Sequence, residues 1–318
     1  MKYGYDIRDM IYGYDIRAVR SYPEIKALAL QAEEYGFKSL HVPDHLIGFD
    51  SERRQPFLEA IALMSAIAVE TRKVKIGHIV LANSFRNPAL TAKVISSLDN
   101  ISNGRALLWI GAGWYEEEYK AYGYPFPSAK ERVDQLEESL TIFKKLFTEE
   151  VTNFNGKFWK LENCKNFPKP IQKPWPQIII GGRQNRLVTI ACREADGVNL
   201  PHHGLDELEE RTRFIASKLR KYNRDLKKFE ISAFNFITLV NNEEELNEAI
   251  RPMIERAKQE KMELSREQIL RNSFIGYIED IKAKIKRAED LGVRKMVVVI
   301  RGSPSVKDPM KLFHDELM

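Results

Sequence analysis

Along this chain, short runs of β-branched and aliphatic residues alternate with longer segments whose apolar positions recur at helical spacing. "KSLHV" (Lys38 to Val42) precedes an apolar segment from about Pro56 to Val69. "KVKIGHIVLA" (Lys73 to Ala82) precedes one from Pro88 to Ser102, and "RALLWIG" (Arg105 to Gly111) precedes one from Ala129 to Phe147. The alternation continues with "PQIIIGG" (Pro176 to Gly182) before Asn185 to Ala195, "DGVNL" (Asp196 to Leu200) before Asp206 to Tyr222, and "FEISAFNFITLV" (Phe229 to Val240) before Glu243 to Gln259. "KMVVVI" (Lys295 to Ile300) follows a helical segment from Glu279 to Leu291. Strand-helix units in this order predict a parallel sheet. With one opening strand they number eight, which together with the length predicts an α/β fold, a single closed (β/α)8 or TIM barrel of about 250 residues plus insertions. No linker, low-complexity tract or charge block divides residues 1–318, so one domain is expected.

Two segments exceed the repeat: Trp114 to Ser128, and Thr152 to Trp175 with an Asn155-Gly156 hairpin turn between "VTNF" and "KFWKL". Both are expected at the C-terminal face, where long connections build active-site walls. The N-terminus reads Met-x-Tyr-Gly-Tyr-Asp-Ile-Arg twice, from Met1 and again from Met10. The helix after strand one begins near Pro23, so the second copy leaves a short connection and the first a long one. Ile11 to Ile16 is therefore the expected first strand. Residues 1–9 read as a duplicated start, with an extension over the barrel floor as the alternative.

Composition narrows the function without naming it. The net charge of +5, from 50 Lys+Arg against 45 Asp+Glu, suits an anionic small ligand and forms no stripe for nucleic acid. No apolar run reaches the roughly 18 residues of a membrane span, and no signal-peptide core opens the chain, which points to a cytoplasmic protein with no membrane partner. Cys164 and Cys192 have no metal-site or disulfide spacing, so no metal is expected.

Asp44 and His45 of "PDHL" fall at the C-terminal end of a strand, where catalytic groups collect and an imidazole titrates near neutral pH. His45 is the first catalytic candidate, against a hydrogen-bonded loop histidine; Asp44 is expected to orient its ring or cap the loop. In "GAGW", Gly111 and Gly113 let backbone amides approach a ligand, with Trp114 beside them. "IIIGGRQNR" runs a strand through Gly181 and Gly182 into a helix, offering amides and a positive dipole end to a phosphate, with Arg183 and Arg186 adding charge. His202 and His203 either line the pocket or belong to a surface loop.

Taken in order, "SLHVPDHL", the stretch from "KIGHIVLANSFRNPALTAK" to "GAGWYEEEYKAYG", "GKFWKLENCKNFPKPIQKPWPQIIIGG" and "READGVN" resemble the bacterial-luciferase-like superfamily, over about Tyr12 to Arg301. Its barrels bind FMN or the deazaflavin coenzyme F420. The resemblance implies that His45 faces the flavin, that the peptide between Ile79 and Val80 is cis beneath the middle ring, and that Gly181 and Gly182 bind the flavin phosphate. "RNPALTAK", "SNGR" and "GAGWYEEEY" match the deazaflavin branch, implying an F420-dependent oxidoreductase that transfers a hydride to or from a small organic substrate. An FMN-dependent monooxygenase and a non-catalytic flavin-binding barrel are the alternatives. Trp114 stands where the deazaflavin alcohol and sugar-phosphate dehydrogenases have glutamate, and Phe49 where they have tryptophan, which argues against those substrates. The family also implies a homodimer paired through helices two and three.

Overall fold

The computed structural model describes residues 11–15, 21–48, 57–259 and 262–318. Phe49 and the first copy of the N-terminal repeat lie outside them. The described residues form two compact units, one drawn from residues 15–198 and the other from residues 11–14 with 199–318.

The larger unit begins with α1 (Tyr22–Glu34), whose start is set by Pro23 and by Ser21, its backbone N–H donating to Glu24 at 2.9 Å. There follow β2 (Ser39–Val42), taking the opening strand Ile11–Asp15 as β1, then α2 (Ala60–Glu70), β3 (Lys75–His78), β4 (Leu81–Ala82) and α3 (Pro88–Ile101). After them come β5 (Leu108–Gly111), α4 (Glu116–Ala121), α5 (Ala129–Thr148), the hairpin strands β6 (Thr152–Asn155) and β7 (Lys160–Cys164), β8 (Ile178–Gly181) and α6 (Asn185–Glu194). Parallel pairing joins β2 to β3, β4 to β5 and β5 to β8, and Ile76 bridges to Ala106 ahead of β5. Every residue of β2, β5 and β8 is buried, because both faces of a parallel sheet are covered; hence the apolar runs of β5 and β8.

The second unit holds most of β9 (Gly197–Pro201), then α7 (Leu205–Lys221), β10 (Glu230–Leu239), α8 (Glu243–Gln259), α9 (Arg266–Asn272), β11 (Phe274–Gly276), α10 (Ile278–Asp290), β12 (Lys295–Gly302) and α11 (Pro309–Leu317). In it β1 pairs with β12 in register Tyr12 to Met296, and β12 pairs with β10, all parallel. The second copy of the repeat is thus the strand, as the short connection to α1 requires.

The two long connections part company. Trp114 to Ser128 follows β5 and stands at the C-terminal ends of the strands, as expected. Thr152 to Trp175 does not: it leaves α5 and enters the N-terminal end of β8. Gln172 near its end bonds to Asp99 (2.6 Å) and to the Ala106 carbonyl (2.7 Å), and accepts Lys75 Nζ at the start of β3 (3.0 Å). A connection that follows a helix reaches the opposite face from one that follows a strand, so this segment builds no active-site wall. Its hairpin is real, but the loop is residues 156–159. Glu138 of α5 accepts the N–H groups of Lys157, Phe158 and Trp159 (2.7 to 3.3 Å). A Cβ on Gly156 would lie 2.3 Å from that carboxylate, so the glycine serves the Glu138 contact and not a two-residue turn.

Candidate active site

The C-terminal ends of β2 and β3 are tied together. The Ile79 N–H donates to the Val42 carbonyl (2.9 Å), and the Ala82 N–H donates to Asp44 Oδ2 (2.8 Å). Arg86 holds both oxygens of Asp44, at 2.7 and 2.9 Å, and Glu59 at 2.7 Å. Burial works against the charge on Arg86, but the two carboxylates outweigh it and its pKa lies above the ordinary guanidinium value. Asp44, 3% exposed, is therefore a clamp on the strand ends, and its carboxylate is spent.

The carboxylate on His45 comes from elsewhere. Glu118 of α4 places Oε2 at 3.0 Å from His45 Nδ1, while its Oε1 accepts the backbone N–H of Leu46 and, at 3.3 Å, that of Ile47. Spacing along the chain did not reveal this residue: seventy-three positions separate the partners, and Glu118 reads as one of three consecutive acids on a short helix. Its 1% exposure distinguishes it from Glu116 and Glu117. Aromatic rings stand edge-on around His45: Trp114 at 5.9 Å, Phe57 at 6.1 Å and Tyr115 at 6.2 Å. Trp114 stacks on Tyr115 and is 66% exposed, an apolar surface beside the histidine.

The Ile79-Val80 peptide is cis, at the position expected. Both side chains are half-buried at the end of β3. Val80 is backed by two glycines, since a Cβ on Gly111 would lie 2.9 Å from Val80 Cγ2 and one on Gly181 would lie 2.7 Å from Cγ1. Gly111 and Gly181 are thus small to seat Val80, a different reason from backbone approach to a ligand. Gly113 has φ of +80°, and a Cβ there would fall 1.9 Å from the Tyr119 hydroxyl, which lies 2.8 Å from Ser84 Oγ. Gly182 has φ of +157°, with Leu187 occupying the space of its Cβ at 2.6 Å. Gly182 and the exposed Arg183 lead into α6, whose N-cap residue Gln184 makes no side-chain capping bond. Arg186 is removed from the candidate phosphate ligands, because it pairs with Asp134 of α5 and donates to the Lys130 carbonyl at 3.1 Å.

These residues fit a flavin-like group. Half-exposed Ile79 and Val80 give an apolar face with rigid backing, and the N-terminus of α6 suits a phosphate. Next to them Asn83 is 3% exposed, and neither atom of its amide has a hydrogen-bond partner among the described residues.

The other candidates belong to the second unit. His202 has φ of +53°, and its ring lies parallel to Phe236 at 5.2 Å, with Arg301 over the same phenyl ring at 4.7 Å. His203 is 2% exposed and donates Nδ1–H to the Pro201 carbonyl at 2.8 Å, a buried structural bond and not a surface loop.

The sequence model of the luciferase-like monooxygenase family matches residues 5–304. An F420-dependent glucose-6-phosphate dehydrogenase of Amycolatopsis mediterranei is 36% identical over 156 residues, 48% of this chain and 46% of that protein. An FMNH2-dependent dimethylsulfone monooxygenase of Pseudomonas putida is 25% identical over 236 residues, 74% of this chain and 63% of that protein. The chain thus spans less than two thirds of either relative. Among solved structures, an F420-dependent secondary alcohol dehydrogenase in complex with an F420-acetone adduct superposes with a TM-score of 0.82 at 20% identity, covering 96% of this chain and 98% of that one. Likeness of that extent establishes the fold as a (β/α)8 TIM barrel.

Proposed function

The chain belongs to the luciferase-like monooxygenase family, and from that premise we propose that it is an oxidoreductase transferring a hydride between coenzyme F420 and a small organic substrate. The observation that carries this reading is His45, held by a buried carboxylate at the strand ends that also present Ile79 and Val80. When bound, the deazaflavin gives or takes the hydride; the protein supplies orientation and proton transfer.

Ile79 and Val80 would support the ring, and Gly181, Gly182, Arg183 and the α6 N-terminus would hold the phosphate. Gly111 contributes by seating Val80. Gly113 contributes by admitting Tyr119 and turning the chain toward Trp114. His45 takes the proton that leaves a substrate oxygen as the hydride leaves the adjoining carbon, and returns it in the reverse direction. Asp44 acts through Arg86 and Ala82 to keep the strand ends in place. Trp114, Tyr115 and Phe57 keep water from the imidazole. In this reading the barrel is one domain and works in the cytoplasm as a homodimer; among the described residues no helix is long and apolar enough to cross a membrane.

A reduced-FMN monooxygenase is the second reading, favoured by the likeness to the dimethylsulfone enzyme over three quarters of the chain. Expression in a host that makes both cofactors separates them: the absorbance spectrum and mass of the co-purifying group should be those of the deazaflavin. Recovery of FMN alone transfers the proposal to the second reading. With a substrate in hand, His45→Ala should lower turnover by about 10² to 10⁴ while cofactor affinity holds. Parental turnover in that variant would remove His45 from the reaction.

A further inference from the structure

The groups that converge on Glu118 settle which nitrogen of His45 can act. Glu118 is 1% exposed; its Oε1 accepts the backbone N–H groups of Leu46 and Ile47, and its Oε2 lies 3.0 Å from the imidazole Nδ1. An ionised carboxylate only accepts hydrogen bonds, so the hydrogen in the third contact belongs to the ring. A neutral imidazole with hydrogen on Nδ1 carries its lone pair on Nε2.

We propose that Glu118 is a positioning residue that holds His45 in the Nδ1–H tautomer, which makes Nε2 the nitrogen that receives the substrate proton. The tautomer follows from the contacts of an ionised Glu118; the use of Nε2 rests on the function proposed above. Asp44, the adjacent carboxylate in sequence, is held by Arg86 and does not compete for the ring. Among the described residues the rings of Phe57, Trp114 and Tyr115 also stand against the imidazole, the Tyr115 phenol being titratable. Glu118 also fixes where the ring stands, because the backbone that carries His45 is bonded to the same carboxylate at the next two residues. The opposite arrangement, a protonated Glu118 donating to Nδ1, would leave hydrogen on Nε2 and the ring unable to accept there.

The test is a long-range proton-nitrogen correlation spectrum of the full chain labelled with ¹⁵N-histidine, with the His45 signals identified by their loss in His45→Gln. The expected parental pattern is that of hydrogen on Nδ1 and a lone pair on Nε2. Glu118→Gln presents one N–H donor group where the carboxylate had only acceptors. It should therefore move the tautomer toward Nε2–H. Hydrogen on Nε2 in the parent overturns the proposal, as does a Glu118→Gln spectrum equal to the parent's. If Glu118→Gln fails to fold, the parental spectrum alone decides. Activity is a separate arm. If His45→Ala proves fully active, the proposed function fails while the tautomer stands; if His45 is required, Glu118→Gln should reduce kcat at unchanged KM.

Discussion

Tyr119 decides what can stand at position 113. Its phenol, which burial pushes up in pKa against the bond from Ser84, lies where a Cβ on Gly113 would go, and the positive φ there disfavours any side chain. Gly113→Ala should cost roughly 3 kcal/mol, read from urea unfolding, and part of that loss should return in a Tyr119→Phe background. His78 makes a second prediction. Its ring is fully buried, and burial pushes its pKa from 6.5 down to about 4, with the Asp44 charge pulling the other way. Between those values the unfolded chain binds a proton that the native state does not. Stability is therefore full above pH 6.5 and is lost as pH falls toward 4. The native state should be weaker at pH 5 than at pH 7 by roughly 2 kcal/mol on this account. His78→Leu should flatten that slope in paired urea titrations; an equally steep slope would acquit His78.

At the scale of elements, the helices flanked by strong signals were legible. Ser128 caps α5 through the Glu131 N–H (3.2 Å), and Asn87 with Pro88 starts α3. The elements that sequence patterning passed over are α4, α9, β11 and α11, the longest of them nine residues. Periodicity needs several turns to speak, and these are too short for it. Asn155-Gly156 marked the hairpin correctly but for another reason, since a glycine that admits a distant carboxylate looks in sequence like a glycine that turns a chain. Glu138→Ala should accordingly speed amide exchange at residues 157–159 and loosen the hairpin by about 1 to 2 kcal/mol, with the exchange rates in β5 unchanged. Equal protection in the variant would mean the loop holds itself.

For the whole molecule, the order of the strand-helix units was carried by periodicity, while the face on which an insertion lies was not. That depends on whether the segment leaves a strand or a helix, and Thr152 to Trp175, expected at the C-terminal face, follows the helix that ends at Thr148. His45 was legible from its place after a strand; Glu118 was not, because contacts over seventy-three positions leave no local trace. The pairing of Tyr12 with Met296 makes the second N-terminal copy part of the sheet, so removing Met1 to Asp9 should shift the melting temperature by no more than about 2 °C. Calorimetry showing collapse would assign the first copy a structural role. One last feature bears on how such a barrel can diverge. The methyls of Val80 occupy the places of two absent side chains, on β5 and on β8. Alanine at position 111 or 181 is thus a harmful first step and a tolerable second one, open only after residue 80 has shrunk. Three residues far apart in the gene form a single epistatic unit, and the order in which they change is dictated by volume.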